Sequence, residues 1–143
     1  MTIRPRAARS VRDLRTRLRD IAAASHANTV AARDTSRLAL QDEQDALVRH
    51  LDRAHVALAK AQSIHDLQMV DEDTGVHRIA IADASKKLDE DTQQTRISEA
   101  ALRERARQLR AAEKLVERLE KGIATRESAN EQRANDDINA RRR

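Results

Sequence analysis

Residues 81–123 read IADASKKLDEDTQQTRISEAALRERARQLRAAEKLVERLEKGI, and within them Ile81, Leu88, Thr95, Leu102, Leu109, Val116 and Ile123 follow one another at steps of seven. All but Thr95 are aliphatic. A seven-residue apolar repeat sustained over this length turns one face of an α-helix toward a partner and implies a left-handed supercoil. The companion positions are Ala84, Asp91, Ser98, Arg105, Ala112 and Leu119. The resulting seam is small and wet in its middle and better packed from Leu109 to Ile123.

Upstream the pattern is less regular. Val11, Leu14, Leu18 and Ile21 are spaced three, four and three apart, and Leu47, Leu51, Ala54, Leu58 and Ala61 four, three, four and three apart. The two runs are out of heptad phase. Leu18 and Leu51 are 33 residues apart, which fits three eleven-residue repeats, so the first helix is expected to run straighter through its Ala-rich middle. Leu47 and Leu51 are assigned to the seam with Leu102, Leu109 and Val116.

Between the halves lies Asp71-Glu72-Asp73-Thr74-Gly75, where a breaker, a cap-forming residue and an acidic cluster coincide. The turn is expected at 71–75, with Asp73 or Thr74 as N-cap of the second helix. The fold class is therefore all-α: two long antiparallel helices forming a coiled-coil hairpin, each about 60 residues and about 90 Å long. The expected organisation is a disordered basic N-terminus at 1–9, the hairpin at 10–127 and a frayed polar tail at 128–143. The competing architecture is one unbroken helix that dimerises, since a lone Gly costs only about 1 kcal/mol.

Composition excludes a thick core. There is no Phe, Tyr, Trp or Cys, and Leu, Ile, Val and Ala together number 54, of which 26 are Ala. Apolar contact must come from small and aliphatic side chains, enough for a two-helix seam but not for a globule. The dominant residues are strong helix formers. The lack of cysteine removes disulfide and thiolate chemistry and agrees with a reducing, cytoplasmic setting. No apolar run has the length of a secretory signal or a membrane span.

Charge is unevenly placed. Counting Lys and Arg against Asp and Glu, residues 1–20 carry +5, 62–95 carry −5, 96–127 carry +3 and 128–143 carry +1. A hairpin would gather the basic ends together and leave the acidic turn apart from them.

Residues that could carry chemistry are not arranged for it. His26, His50, His55, His65 and His77 include no pair three or four apart, as a shared metal on one helix requires. In 71–75 the Gly stands at the fifth position, and Ala82 occupies the twelfth, where a calcium loop needs a bidentate Glu. Asp89-Glu90-Asp91 is expected to be a solvated helix face and not a pair of carboxylates for acid or base work. No enzyme activity, cofactor, metal or small-molecule substrate is expected. Arg4, Arg6, Arg9, Arg12, Arg15, Arg17 and Arg19 carry more content. Without aromatics for base stacking, and with Asp13 and Asp20 interrupting the run, they favour docking on an acidic protein surface over nucleic acid.

Glu113-Lys114-Leu115-Val116-Glu117-Arg118-Leu119, followed by Arg126-Glu127, Glu131-Gln132, Asp136-Asp137 and Ala140-Arg141-Arg142, resembles the C-terminal pattern of the coiled-coil stalk proteins of bacterial type III export, the FliJ and YscO kind. Chain length, a basic N-terminal helix with Leu14 and Leu18, and a central turn agree. The resemblance implies paired termini that enter a hexameric export ATPase, a remainder that reaches the membrane export gate, and contact with export chaperones. It implies a cytoplasmic location, peripheral at the inner membrane. The residues expected at the ATPase are Val11, Arg12, Leu14, Arg15, Leu18, Arg19, Leu119 and Ile123. Those expected at the gate are Leu58, His65, Asp71, Glu72, Asp73, Ile81 and Leu88. Two rival classes are a dimeric adaptor or structural coiled coil and a basic nucleic-acid-binding coil.

Overall fold

The computed structural model describes residues 4–142. They form two helices, α1 (Pro5–Lys60) and α2 (Ile64–Arg141), with no strand among the described residues. The helices pack together antiparallel as an all-α hairpin: Arg9 meets Glu120, His26 meets Ser98 and His50 meets Thr74. As the index rises along α1, that of its partner on α2 falls.

The chain reverses at residues 61–63, and the expected turn at 71–75 lies inside α2. The capping chemistry explains the difference. Ser63 Oγ accepts a hydrogen bond from the Asp66 amide at 3.2 Å, and the Ser63 carbonyl accepts the first helical bond of α2 from Leu67. Asp66 in turn accepts from the Gln62 amide at 3.1 Å. This is a close relative of the capping box, in which a hydroxyl and a carboxylate three residues apart satisfy amides that no helical carbonyl can reach. Lys60 ends α1 and Asp66 opens α2, each the favourable charge for its helix terminus. Gly75 has no positive φ, and a Cβ added there would meet nothing within 4 Å. It is a helical glycine, tolerated at the modest cost that glycine carries in a helix interior.

The N-terminus also departs from expectation. Arg4 supplies the carbonyl that accepts from the Ala8 amide at 3.1 Å, which puts Pro5 at the first helical position, where its missing N–H is lost without penalty. Residues 5–9 are thus helical, not disordered. At the other end α2 continues to Arg141 with residues 124–142 exposed, a bare helix where a frayed tail was expected. Residues 1–3 and 143 of those two expected segments lie outside the described residues.

Two compact units divide the chain, Met1–Ala23 with Ala101–Arg143, and Ala24–Ala100. In the first, the buried apolar residues are Ala8, Leu109, Ala112 and Val116, flanked by half-buried Leu102, Leu119 and Ile123. Facing them, α1 contributes Ala8, Arg12, Arg15, Arg19 and Ala22 at alternating four and three spacing. In the second unit Ala54 is the only buried apolar residue among those described, whereas Ser36, His50 and Thr95 are buried polar ones. Its α1 face runs through His26, Thr29, Arg33, Ser36, Leu40, Glu43, Leu47, His50 and Ala54, a heptad frame with no interruption.

Burial on α1 is therefore heptad-spaced within each unit, and the eleven-residue spacing of its leucines is not the spacing of its buried face. Leu51, expected in the seam, is 47% exposed. Leu47 and Leu102 are half-buried, and Leu109 and Val116 are buried.

Candidate interaction surfaces

The unit made of Met1–Ala23 and Ala101–Arg143 holds 19 Lys and Arg against ten Asp and Glu, a net +9. Ala24–Ala100 holds nine against 14, a net −5. Within the basic unit an ion pair of 2.8 Å joins Arg9 to Glu120, and Arg15 donates a hydrogen bond to Gln108. These contacts fix the start of α1 against α2 near Leu119 and Ile123, so the expected ATPase-facing residues of the two helices do lie in one unit.

Their orientations differ. Val11, Leu14 and Ile21 are 45%, 54% and 66% exposed, forming an apolar stripe beside the seam. Leu18 is half-buried beside them. Arg12, Arg15 and Arg19 lie on the seam side of α1, half-buried, with Arg12 and Arg19 each paired to the neighbouring Asp13 and Asp20. The charges of Arg12 and Arg19 are thus partly compensated, and a half-buried Arg can lay its alkyl stem over apolar surface. Arg6 and Arg17 of α1 and Arg110 of α2 are exposed cations of the same unit. Further along α2, Lys121 donates to Glu117 at 2.5 Å, and this hydrogen bond together with the ammonium charge holds the Glu117 carboxyl below the usual carboxylate range.

In the acidic unit, polar layers replace apolar ones. His26 Nδ1 meets Ser98 Oγ at 2.9 Å, Thr29 Oγ1 meets the same hydroxyl at 2.7 Å, and Thr95 donates to the Thr29 carbonyl at 3.1 Å. Ser36 donates to the Asp91 carboxylate. Nearer the reversal, His50 Nε2 meets Thr74 Oγ1 at 2.9 Å, and the His50 and His77 rings lie 4.8 Å apart, tilted by 36°. Among the described residues every buried side-chain nitrogen and oxygen has a partner. A satisfied polar layer fixes register, because sliding one helix by a turn would strand its donors away from water.

Two shallow grooves flank these layers. One is lined by His50, Arg53, Ala57, Asp73, Val76 and His77, the other by Leu51, His55, Leu58, Leu67, Asp71 and Thr74. Of the expected gate-facing residues, Leu58 and Asp71 share a groove. Asp73 lines the other, His65 and Glu72 are exposed, and Ile81 and Leu88 face the seam. No group of three or more His, Asp or Glu among the described residues could hold a metal. No helix among them is long and apolar enough to cross a membrane.

No protein-family model, curated protein or solved structure matches this chain.

The polar layers on α1 were the part that apolar periodicity could not find. His26, Thr29, Ser36 and His50 occupy seam positions three, seven and fourteen residues apart in turn, so part of the heptad frame was present in residues that an apolar count passes over.

Proposed function

We propose that this chain is a non-catalytic contact protein whose paired terminal segments dock on an acidic protein surface. The observation that carries this reading is the coincidence, within one unit, of a net +9 and the exposed Val11, Leu14 and Ile21 stripe. Charge of this magnitude steers encounter, and the stripe supplies short-range contact once the surfaces meet. The partner this reading names is the hexameric ATPase of a type III protein export apparatus, from the resemblance of residues 113–142 to its stalk proteins. The acidic unit, through Leu58, His65 and Asp71, would then face the membrane export gate, and export chaperones would be transient passengers. The chain would be cytoplasmic and peripheral at the inner membrane. The absence of aromatic side chains argues against nucleic acid, where base stacking carries much of single-strand affinity.

The test is association of the full chain with the cognate export ATPase at low salt and at about 0.5 M salt. The reading expects binding whose on-rate falls steeply with salt and falls again when Arg6 and Arg17 are changed to Glu. Absence of binding at low salt would end the export assignment.

A further inference from the structure

Three of the exposed apolar residues of the acidic unit, Leu51, Leu58 and Leu67, line one groove. On α1, Val48, Leu51, His55 and Leu58 are spaced three, four and three apart, and all are exposed. Leu67 and Asp71 of α2 line the same groove as Leu51 and Leu58. From Val48 to Thr74 the chain carries five carboxylates against three Lys and Arg. In the basic unit, Val11, Leu14, Leu18 and Ile21 repeat the same spacing, among seven Arg and two Asp within residues 4–21. One chain thus presents two stripes of matching period and opposite charge, apolar except for His55 in the acidic one.

We infer that the acidic groove at Leu51, Leu58 and Leu67 binds the basic Val11, Leu14 and Ile21 stripe of a second copy of this chain. Charge selects this occupant. A symmetric contact between two acidic grooves would oppose −5 to −5, and one between two basic stripes would oppose +9 to +9, whereas the unlike contact joins −5 to +9. Equal stripe spacing lets aliphatic side chains of one helix settle between those of the other over the same length. The contact is heterologous, so an open assembly of any length keeps one unused groove at one end and one unused stripe at the other, and association continues beyond two copies. It does not rest on the export reading, although a partner bound at the basic unit would compete with it.

Sedimentation of the full chain alone over a wide concentration range tests this. At low salt, concentration-dependent species larger than a dimer are expected, dissolving toward monomer at about 0.5 M salt. Leu14→Asp with Ile21→Asp, and separately Leu51→Asp with Leu58→Asp, should each weaken association about tenfold or more, because each buries a charge without a partner. All four positions lie off the seam, so helix content by circular dichroism should be unchanged. Mixing the two variants leaves one intact groove and one intact stripe, and should yield a 1:1 heterodimer that goes no further. A monomer at every concentration would overturn the inference. So would a groove variant that is monomeric while the stripe variant still dimerises, since that pattern belongs to a symmetric groove contact.

Discussion

Ser63 and Asp66 cap the start of α2 together, the serine hydroxyl accepting from the Asp66 amide while the Asp66 carboxylate accepts from the Gln62 amide. That pairing, five to eight residues ahead of the acidic cluster that begins at Asp71, determines which residues of the two helices face each other.

The register it sets can be measured inside one unit. His55 and Asp71 line one groove across the helices. Spin labels at these two positions on a single chain should report a separation well under 20 Å, the order of a helix-to-helix contact. A reversal at 71–75 would leave both positions on one helix, about 24 Å apart along its axis.

Gly75→Ala should raise stability by up to about 1 kcal/mol, seen as a higher thermal midpoint, because the position is helical and open to an added methyl. A left-handed turn glycine would respond in the opposite direction.

Leu109→Asp or Val116→Asp should loosen the basic unit by several kcal/mol, since both side chains are buried and a carboxylate there loses hydration without a partner. Glu104→Ala, on the exposed face, should cost about 0.5 kcal/mol or less despite its contacts to Gln108 and Arg107. Denaturant midpoints compare the three directly.

Ser98→Ala should cost about 1 to 3 kcal/mol, because it leaves His26 and Thr29 without the hydroxyl that both contact. The double change of His26 and Ser98 to Leu removes both partners of that pair, leaves Thr29 its bond to the His26 carbonyl, and should be far milder, or stabilising. A double variant as damaged as the single would mean the layer does more than satisfy itself.

These layers also mark what the sequence carried openly and what it hid. The α2 face from Ile81 to Ile123 was legible because its heptad positions are mostly aliphatic, and the half-buried and buried residues fall on that frame. On α1 the frame is occupied by Arg12, Arg15, His26, Thr29 and Ser36, while the conspicuous leucines Leu14, Leu38 and Leu51 face outward. Much of the hydrophobicity there points away from the seam, and in its middle hydrogen-bond complementarity with Asp91, Thr95 and Ser98 identifies the buried side. The turn was misread for a related reason: Gly75 is the obvious breaker, whereas Ser63 and Asp66 stop the chain by capping, with no glycine or proline at the reversal. The charge separation needed no structure. Its assignment to two units, and the compensation of Arg12 and Arg19 by their neighbouring aspartates, did.

The proposed docking of the paired terminal segments on an acidic partner is tested most directly by steady-state ATP hydrolysis by the hexameric export ATPase that the proposal names. The intact chain should raise turnover or hexamer assembly at low salt. Arg6→Glu, Arg17→Glu and Arg110→Glu together, all exposed and off the seam, should abolish most of that stimulation while helix content is retained. Charge changes at Glu72 and Asp73 in the acidic unit should leave it nearly intact. Hydrolysis and assembly that are unchanged by the intact chain, or stimulated equally by the triple variant, would contradict the claim.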